Sequence, residues 1–374
     1  KRFVLFKQQS MKNKKETGNK TQRKISTLNI IIHILGIIVS VLLVLATSSG
    51  LFKPSKHAFI ACVGIFFVYF FIATFLYFIF LVVKRKKMAI PILIALFISL
   101  PSISRNVKFF SKENDNQDNA LTVISFNVKN LSNSNKNLGE NDIADKIFKK
   151  IEDCNADVIM VQEYYGEDEY LLDFLKQRTN TNYHCYTKYY PASRNCIAIL
   201  SKYKIFNIES IRDNKKSIAL YCDMQYKGDT IRVINTHLQS IHVDINDLNT
   251  AKESTDKAKI VFFRLYNSLS KAFCAREKQT DIMSDVIEKS PYRIILCGDF
   301  NDTPCSYTYK QISKRLTDVF VESGKGFGFT FKDLPFIRID YMFHSDGIKS
   351  VKYDIIRADG ISDHDLSIGK FIIE

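Results

Sequence analysis

The sequence predicts an α+β chain carried on an amino-terminal helical transmembrane anchor. Three observations support that expectation. Long apolar blocks are confined to the part before Ser104. Short, near-continuously apolar strand candidates follow, mixed with helical stretches. The charge changes character at the same place. Residues 1–112 hold 18 of the 53 Lys and Arg and one acid, Glu16, which leaves 35 bases against 38 acids in 113–374. The net charge of +14 therefore belongs to the amino-terminal part. The remainder carries no bulk attraction for nucleic acid.

The anchor is read from three blocks, Leu28–Leu51, Ala58–Val83 and Met88–Ile103. The first two contain no Lys, Arg, Asp or Glu, and each is long enough to cross a hydrocarbon core of about 30 Å. The third is shorter, with Pro91 and Pro101 near its ends; a buried core helix is its alternative reading. Loop charge orients the blocks. Lys12, Lys14, Lys15, Lys20, Arg23 and Lys24 precede the first, and "KRKK", Lys84 to Lys87, separates the second from the third. Only Lys53, Lys56 and His57 lie between the first two. The expectation is a multi-pass protein of the inner (cytoplasmic) membrane. It has a basic cytoplasmic tail at 1–27, an anchor at 28–110, a polar linker at 111–119 and an extracytoplasmic catalytic domain at 120–374. If the third block did not cross, that domain would be cytoplasmic. The first apolar run is longer than a usual signal-peptide core. Seven of the eight cysteines lie in 113–374 without CxxC spacing, which points to buried small hydrophobes and away from a zinc site.

In the remainder, strand candidates run in the order Leu121–Val128, Ala156–Glu163, Cys196–Lys202, Ser217–Tyr226, Thr230–Leu238, Arg293–Phe300 and Arg338–His344. "KGD", Lys227 to Asp229, is a hairpin turn between two of them. Strands this apolar call for sheets covered on both faces. Asn141 or Asp142 caps a helix in which Ile143, Ile147 and Ile151 recur every four residues. A longer helix covers Ala251–Glu288, where Phe262, Leu265, Leu269 and Phe273 form a core stripe.

Polar groups recur at the carboxyl ends of these strands. Asn127, Glu163, Asn235 with His237, and Asp299 with Asn301 close four of them. Asp340 lies in "RIDYMF", and "SDH" supplies Asp363 and His364 near the carboxy terminus. Singly, strand-end Asp and Asn are ordinary turn caps. Together, on one rim, they form a cluster of acids, amides and two imidazoles. Such a cluster suits phosphoester hydrolysis. Mg²⁺ takes hard oxygen ligands and often only one or two carboxylates, a part that Glu163 fits, and Mn²⁺ is the alternative ion. Asn side chains such as Asn235 can donate to phosphoryl oxygens. Arg276 is a further candidate for substrate contact, with exposed helix polarity as its alternative. No Ser or Cys stands as an evident nucleophile, so water is the expected attacker.

The motifs "SFNVKN", "VIMVQE", "AILSKY", "NTHLQS", "CGDFND", "RIDYMF" and "SDHD" follow one another as in the endonuclease/exonuclease/phosphatase superfamily, which the chain resembles over Thr122–Glu374. The resemblance implies a four-layer α/β/β/α sandwich of two mixed sheets and divalent-metal-dependent hydrolysis. It implies Asn127, Glu163 and Asp363 on the metal side, and His237 at the phosphate or leaving group. Asp299 and Asn301 would orient the water and the phosphate, and His364 paired with Asp340 would be the candidate base; it does not decide between His364 and Asp299. Two departures stand out. Leu366 follows "SDHD" where the family usually has a nearby proline, and no glycine precedes "AILSK", so Arg194 and Asn195 would shape a different rim. "NTHL" resembles the deoxyribonuclease, sphingomyelinase and inositol-phosphatase branches and differs from abasic-site repair enzymes.

The leading expectation is thus a membrane-anchored phosphodiesterase or phosphatase with a phosphoester substrate and the lipid bilayer as partners. A surface nuclease is the runner-up, less favoured on charge, and a non-catalytic module comes third. No protein partner is expected. "GKGFGFTF", Gly324 to Phe331, lacks a P-loop's Lys-Ser/Thr and reads as a mobile substrate-side loop.

Overall fold

A computed structural model describes residues 27–109, 119–131, 140–164, 183–188, 197–214, 216–241 and 255–374, with the single positions Asp173 and Lys176. The basic tail, most of the linker, Arg194, Asn195 and Cys196 lie outside the described residues. The apolar blocks form α1 (Thr27–Ser48), α2 (Pro54–Ile65), α3 (Phe67–Val83) and α4 (Ala89–Ile103). After them come β1 (Val107–Lys108), β2 (Leu121–Asn127), α5 (Glu140–Asp153), β3 (Val158–Gln162), β4 (His184–Lys188), β5 (Ile197–Ser201), β6 (Ile205–Asp213), β7 (Lys216–Tyr226) and β8 (Asp229–His237). The chain continues through α6 (Thr255–Glu288), β9 (Arg293–Asp299), α7 (Tyr307–Ile312), β10 (Thr317–Asp318), α8 (Val319–Ser323), β11 (Gly326–Phe327), β12 (Asp340–His344), β13 (Ile348–Ile356) and β14 (Leu366–Ile373).

Two six-stranded sheets form, ordered β10-β12-β9-β8-β7-β6 and β13-β14-β2-β3-β5-β4. Their central strands are apolar at successive positions because both faces are covered. Ile295 and Cys297 of β9 face the space between the sheets, with Val123, Met160 and Ile199 from the second sheet. Ile294 and Leu296, one residue out of phase, face Met283 and Ile287 of α6. On the far side, Ile143, Ile147 and Ile151 of α5 cover Ile124, Ile159 and Leu200. The layers are therefore helix, sheet, sheet, helix.

Topology then sets the rim. β2 and β3 are parallel, joined by a crossover through α5, and β8 and β9 are parallel through α6. Parallel pairs end together: Asn127 is level with Gln162, and His237 with Asp299. β12 runs antiparallel to β9 with Asp340 opposite Asp299, so it begins where β9 ends. Gly298 remains in the strand and does not turn the chain. A Cβ there would lie 2.0 Å from the Thr236 carbonyl oxygen, at a φ of +138°, so only glycine lets β8 and β9 approach this closely.

Strands β4, β6, β13 and β14 add to those expected from apolar runs. β6 is largely exposed, with Ile211 its one buried residue, so it carries no continuous apolar run. The middle apolar block also differs from the expected single span: α2 and α3 meet at 56°, with Phe66 as the non-helical joint. α1 with its terminal turn, Thr27–Leu51, is the one described helix long and apolar enough to cross a membrane alone, and α4 has 15 residues. The helices expose many large apolar side chains, including Val83 at 72% and Phe97 at 70%.

The helical part is docked on the sheets. Ser49 Oγ donates to the Cys305 carbonyl at 2.7 Å, and Ser55 donates twice to Glu277 of α6. Arg105 reaches the Pro304 carbonyl, and β1 pairs with β11. Tyr69 of α3 bonds the Pro335 carbonyl. The "GKGFGFTF" segment is thus strapped to the helical part. α1 ends against the domain, where Leu43 and Ala46 meet Phe67, Val68 and Leu96. Its other end meets Leu81 and Ile92, beside the Lys84–Lys87 turn.

Candidate active site

Strand ends deliver the polar cluster, and local backbone aims it. Glu163 follows β3 with φ 51°, a left-handed conformation sparsely used by residues other than glycine. Its carbonyl accepts from Asn130 N at 2.7 Å, which ties the ends of β2 and β3 together. Asn301, at φ 52°, folds back on Asp299: its backbone N–H donates to Oδ1 at 2.7 Å and its side-chain amide to Oδ2 at 3.0 Å. Phe300 between them is buried against Tyr341 and Phe343.

Asp299 joins two overlapping groups, Glu163–His237–Asp299 and Asp299–Asp340–His364, and each group brings one ligating atom per residue within 4.8 Å of the others. Asn127 Nδ2 donates to Glu163 Oε1 at 3.2 Å and to Asp299 Oδ2 at 3.0 Å. His237 Nε2 lies 3.3 Å from Glu163 and 3.6 Å from Asp299. Although buried, it meets no acceptor in hydrogen-bonding geometry. Asp340 holds His364 Nδ1 at 2.9 Å, which leaves Nε2 directed toward Asp299 at 3.9 Å. Phe331 packs its ring 5.1 Å from the His364 ring.

Burial and mutual attraction set the charges. Burial pushes the Glu163 carboxyl up, but the close approach of His237 and the amide of Asn127 outweigh it and hold it at about 2. Burial lifts Asp299 to about 6, against the attraction of His364. Burial alone would depress both imidazoles. Instead Glu163 raises His237, and Asp340 with Asp299 raises His364 to about 10.

Two expected substrate contacts are occupied elsewhere. Asn235 is fully buried between the sheets: its amide donates to the Val161 and Ala198 carbonyls at 3.0 and 2.8 Å, and its oxygen accepts from Gln162 at 2.6 Å. It bolts one sheet to the other and has no donor left for a phosphate. Arg276 is also fully buried, paired with Asp302 at 3.2 Å and with the Gln239 carbonyl at 2.7 Å. Asp363 reaches Lys129 at 2.7 Å and stands outside both groups. Lys129, Gln162 and Phe331 join the site without having been expected there from the sequence. Phe331 carried a signal, the aromatic-rich "GKGFGFTF"; Lys129 and Gln162 acquire meaning only from neighbours distant in the chain.

The donor set fits a hard divalent cation. Glu163 is ionised and, at 22% side-chain exposure, is open to solvent, whereas Asp299 and Asp340 are almost closed off. The unsatisfied His237 nitrogen beside it fits a phosphoryl oxygen.

Fold and rim together define a sandwich of the phosphoesterase type. The chain belongs to the endonuclease/exonuclease/phosphatase family, whose model matches residues 124–364. Members of this family are typically metal-dependent phosphoester hydrolases. A second model, described as a domain of unknown function, matches residues 29–106. No curated protein matches the chain. Among solved structures it is similar to a humanized D. rerio TDP2, at 18% identity and TM-score 0.50, over 68% of this chain and 100% of that one. The human Nocturnin catalytic domain with a bound sulfate anion matches at 14% identity and TM-score 0.50, over 71% and 97%. A family protein from Leptotrichia buccalis matches at 17% and 0.49, over 68% and 100%. At these identities the likeness shows the fold.

Proposed function

We propose that this chain is a membrane-anchored, Mg²⁺-dependent phosphoester hydrolase using direct attack by water. The observation that carries the reading is the meeting of Glu163, His237, Asp299, Asp340 and His364 at one rim, from strands far apart in sequence. Asn127 and Glu163 would hold the cation. When bound, it supplies charge neutralisation at the phosphoryl and leaving oxygens. His237 Nε2 donates to the phosphate or the leaving oxygen. Asp340 fixes His364 Nδ1, so that Nε2 faces the reacting centre and donates as charge develops. Asp299, between the two imidazoles and oriented by Asn301, takes the proton of the attacking water.

The anchor reading rests on the exposed apolar helices and on their course. The Lys84–Lys87 turn lies at the end remote from the catalytic domain, as a cytoplasmic basic turn with an extracytoplasmic domain requires. Full-length protein in detergent with Mg²⁺ is assayed on a bis-aryl phosphodiester, a sphingomyelin and lysophospholipid panel, and plasmid DNA. Glu163→Ala and His364→Ala are each expected to lower the rate by about 10²–10⁴-fold. Unchanged rates in both would sink the site. Reporter fusions after Glu374 that read cytoplasmic would overturn the orientation.

A further inference from the structure

The long helix α6 does more than cover a sheet. Its carboxyl half packs Met283 and Ile287 on the first sheet. Arg276 and Gln279 bind the loop just after His237, which puts that level of the helix at the rim of the site. α6 precedes β9, packs along it and runs opposite to it. Everything from Arg276 back to Thr255 therefore overhangs the rim, by about 30 Å at 1.5 Å per residue. The sequence reading made Phe262 part of a core stripe, yet the structure leaves it 64% exposed, with Phe263 at 62% and Ile260 at 52%. Phe273, nearer the rim, is the buried member.

The overhang does not stand alone. α2 packs against it, with Ser55 bonded to Glu277 and Cys62 lying beside Ser270, so the two helices run antiparallel. α2 carries its own exposed Phe59 and ends at the exposed Phe66, where the chain bends into α3. The exposed aromatic residues of the overhang and of α2 therefore stand on neighbouring helices, and α2 leads directly into α3. Lys259, Arg264 and Lys271 border it on the exposed side of the helix. Exposed aromatic residues with flanking cations are what a helix at a bilayer surface presents. The site is close by: Phe331 packs on His364, while Phe329, two residues earlier, packs with the anchor core.

We propose that the amino-terminal half of α6 lies in the membrane surface beside α2, inserting Phe262 and Phe263. It thereby sets the site against the bilayer to act on a phosphoester carried by a membrane lipid. This deepens the hydrolase reading and rests on it and on the anchor.

The chain contains no Trp, so single introduced Trp residues report cleanly. Full-length protein is reconstituted in phosphatidylethanolamine–phosphatidylglycerol vesicles containing brominated phospholipid. Phe262→Trp is expected to be quenched, as is Phe97→Trp on α4, whereas Tyr292→Trp, at the far end of α6, stays bright. Quenching of Phe97→Trp without Phe262→Trp overturns the insertion and leaves the anchor standing; quenching of neither overturns both. The double variant Phe262→Ser/Phe263→Ser is expected to lose about tenfold or more of its rate on a headgroup-labelled phospholipid in vesicles. Its rate on a soluble bis-aryl phosphodiester should not change. An equal fall on both substrates overturns the proposal in favour of a structural role. A wild type that cleaves the soluble diester but no lipid overturns the substrate class alone. A wild type that cleaves neither overturns the hydrolase reading.

Discussion

Asp299 shows how much one position can carry. It accepts from Asn301 and Asn127, stands between two imidazoles, and is buried at the end of a core strand. Asp299→Asn preserves the shape but replaces one of two accepting oxygens with an amide nitrogen that faces an N–H donor. We expect it to fold with an unfolding midpoint lowered by the loss of about 1–3 kcal/mol, while losing about 10²–10⁴-fold in kcat. Asn235, only two positions before His237, should differ from it in kcat. Asn235→Ala strands two carbonyls and the Gln162 amide between the sheets, which should cost about 1–3 kcal/mol. The loss should show as a lowered denaturation midpoint, with kcat little changed. Two letters of one strand face in "NTHL" thus divide between architecture and chemistry. That division was not legible in the sequence, because the period-two alternation of a strand puts both residues on one face but does not say how far along it the second sheet reaches.

At the scale of the element, the approach of β8 to β9 depends on Gly298. Gly298→Ala would place a methyl against the Thr236 carbonyl in a backbone conformation that alanine resists. The expected cost is about 3 kcal/mol, measured by thermal unfolding in detergent, with activity falling as His237 and Asp299 move apart. A second joint links α8 to β12 and β13. His344 Nε2 donates to Glu322 Oε2 at 2.6 Å, and Ser350 N donates to the same oxygen. Burial works against both charged forms, but the pairing wins: Glu322 is lowered from 4.5 and His344 raised from 6.5. The His344 contribution is therefore fully present below about 6.5 and is lost as pH rises through its raised folded value. The Glu322 contribution is present above about 4.5 and is lost as pH falls through its lowered folded value. The stability gap between wild type and His344→Ala should be widest between these limits and narrow toward alkaline pH; a gap independent of pH would contradict the pairing.

At the scale of the whole molecule, the amino-terminal helices and the sandwich behave as one folded body. Ser49, Ser55 and Arg105 bond directly to the domain, and β1 extends the strap that holds the loop bearing Phe331. Ser49→Ala removes the bond to Cys305 beside the loop that carries Asn301. It should loosen the junction and lower the midpoint by the loss of about 1 kcal/mol, while leaving insertion into the membrane unchanged. Chelation of divalent cations should abolish hydrolysis, and added Mg²⁺ should restore it; activity that persists in excess chelator would exclude the metal-dependent reading.

The central strands, α5 and the recurring strand-end acids, amides and imidazoles were readable from the residues alone. Apolar runs and their polar ends are local patterns, and burial on both faces leaves a local trace. A strand such as β6, largely exposed, leaves no such trace. What only the tertiary structure decided is which polar groups meet. Asn127, Glu163, His237, Asp299, Asp340 and His364 converge because parallel crossovers bring distant strand ends to one level. Asn235 is withdrawn because the second sheet closes over it, and Arg276 because α6 lays it against Asp302 and the Gln239 carbonyl. The bend between α2 and α3 and the exposed Phe262 are likewise set by neighbours. Hydrophobicity states that a side chain should leave water, while only the assembled surface states whether protein receives it.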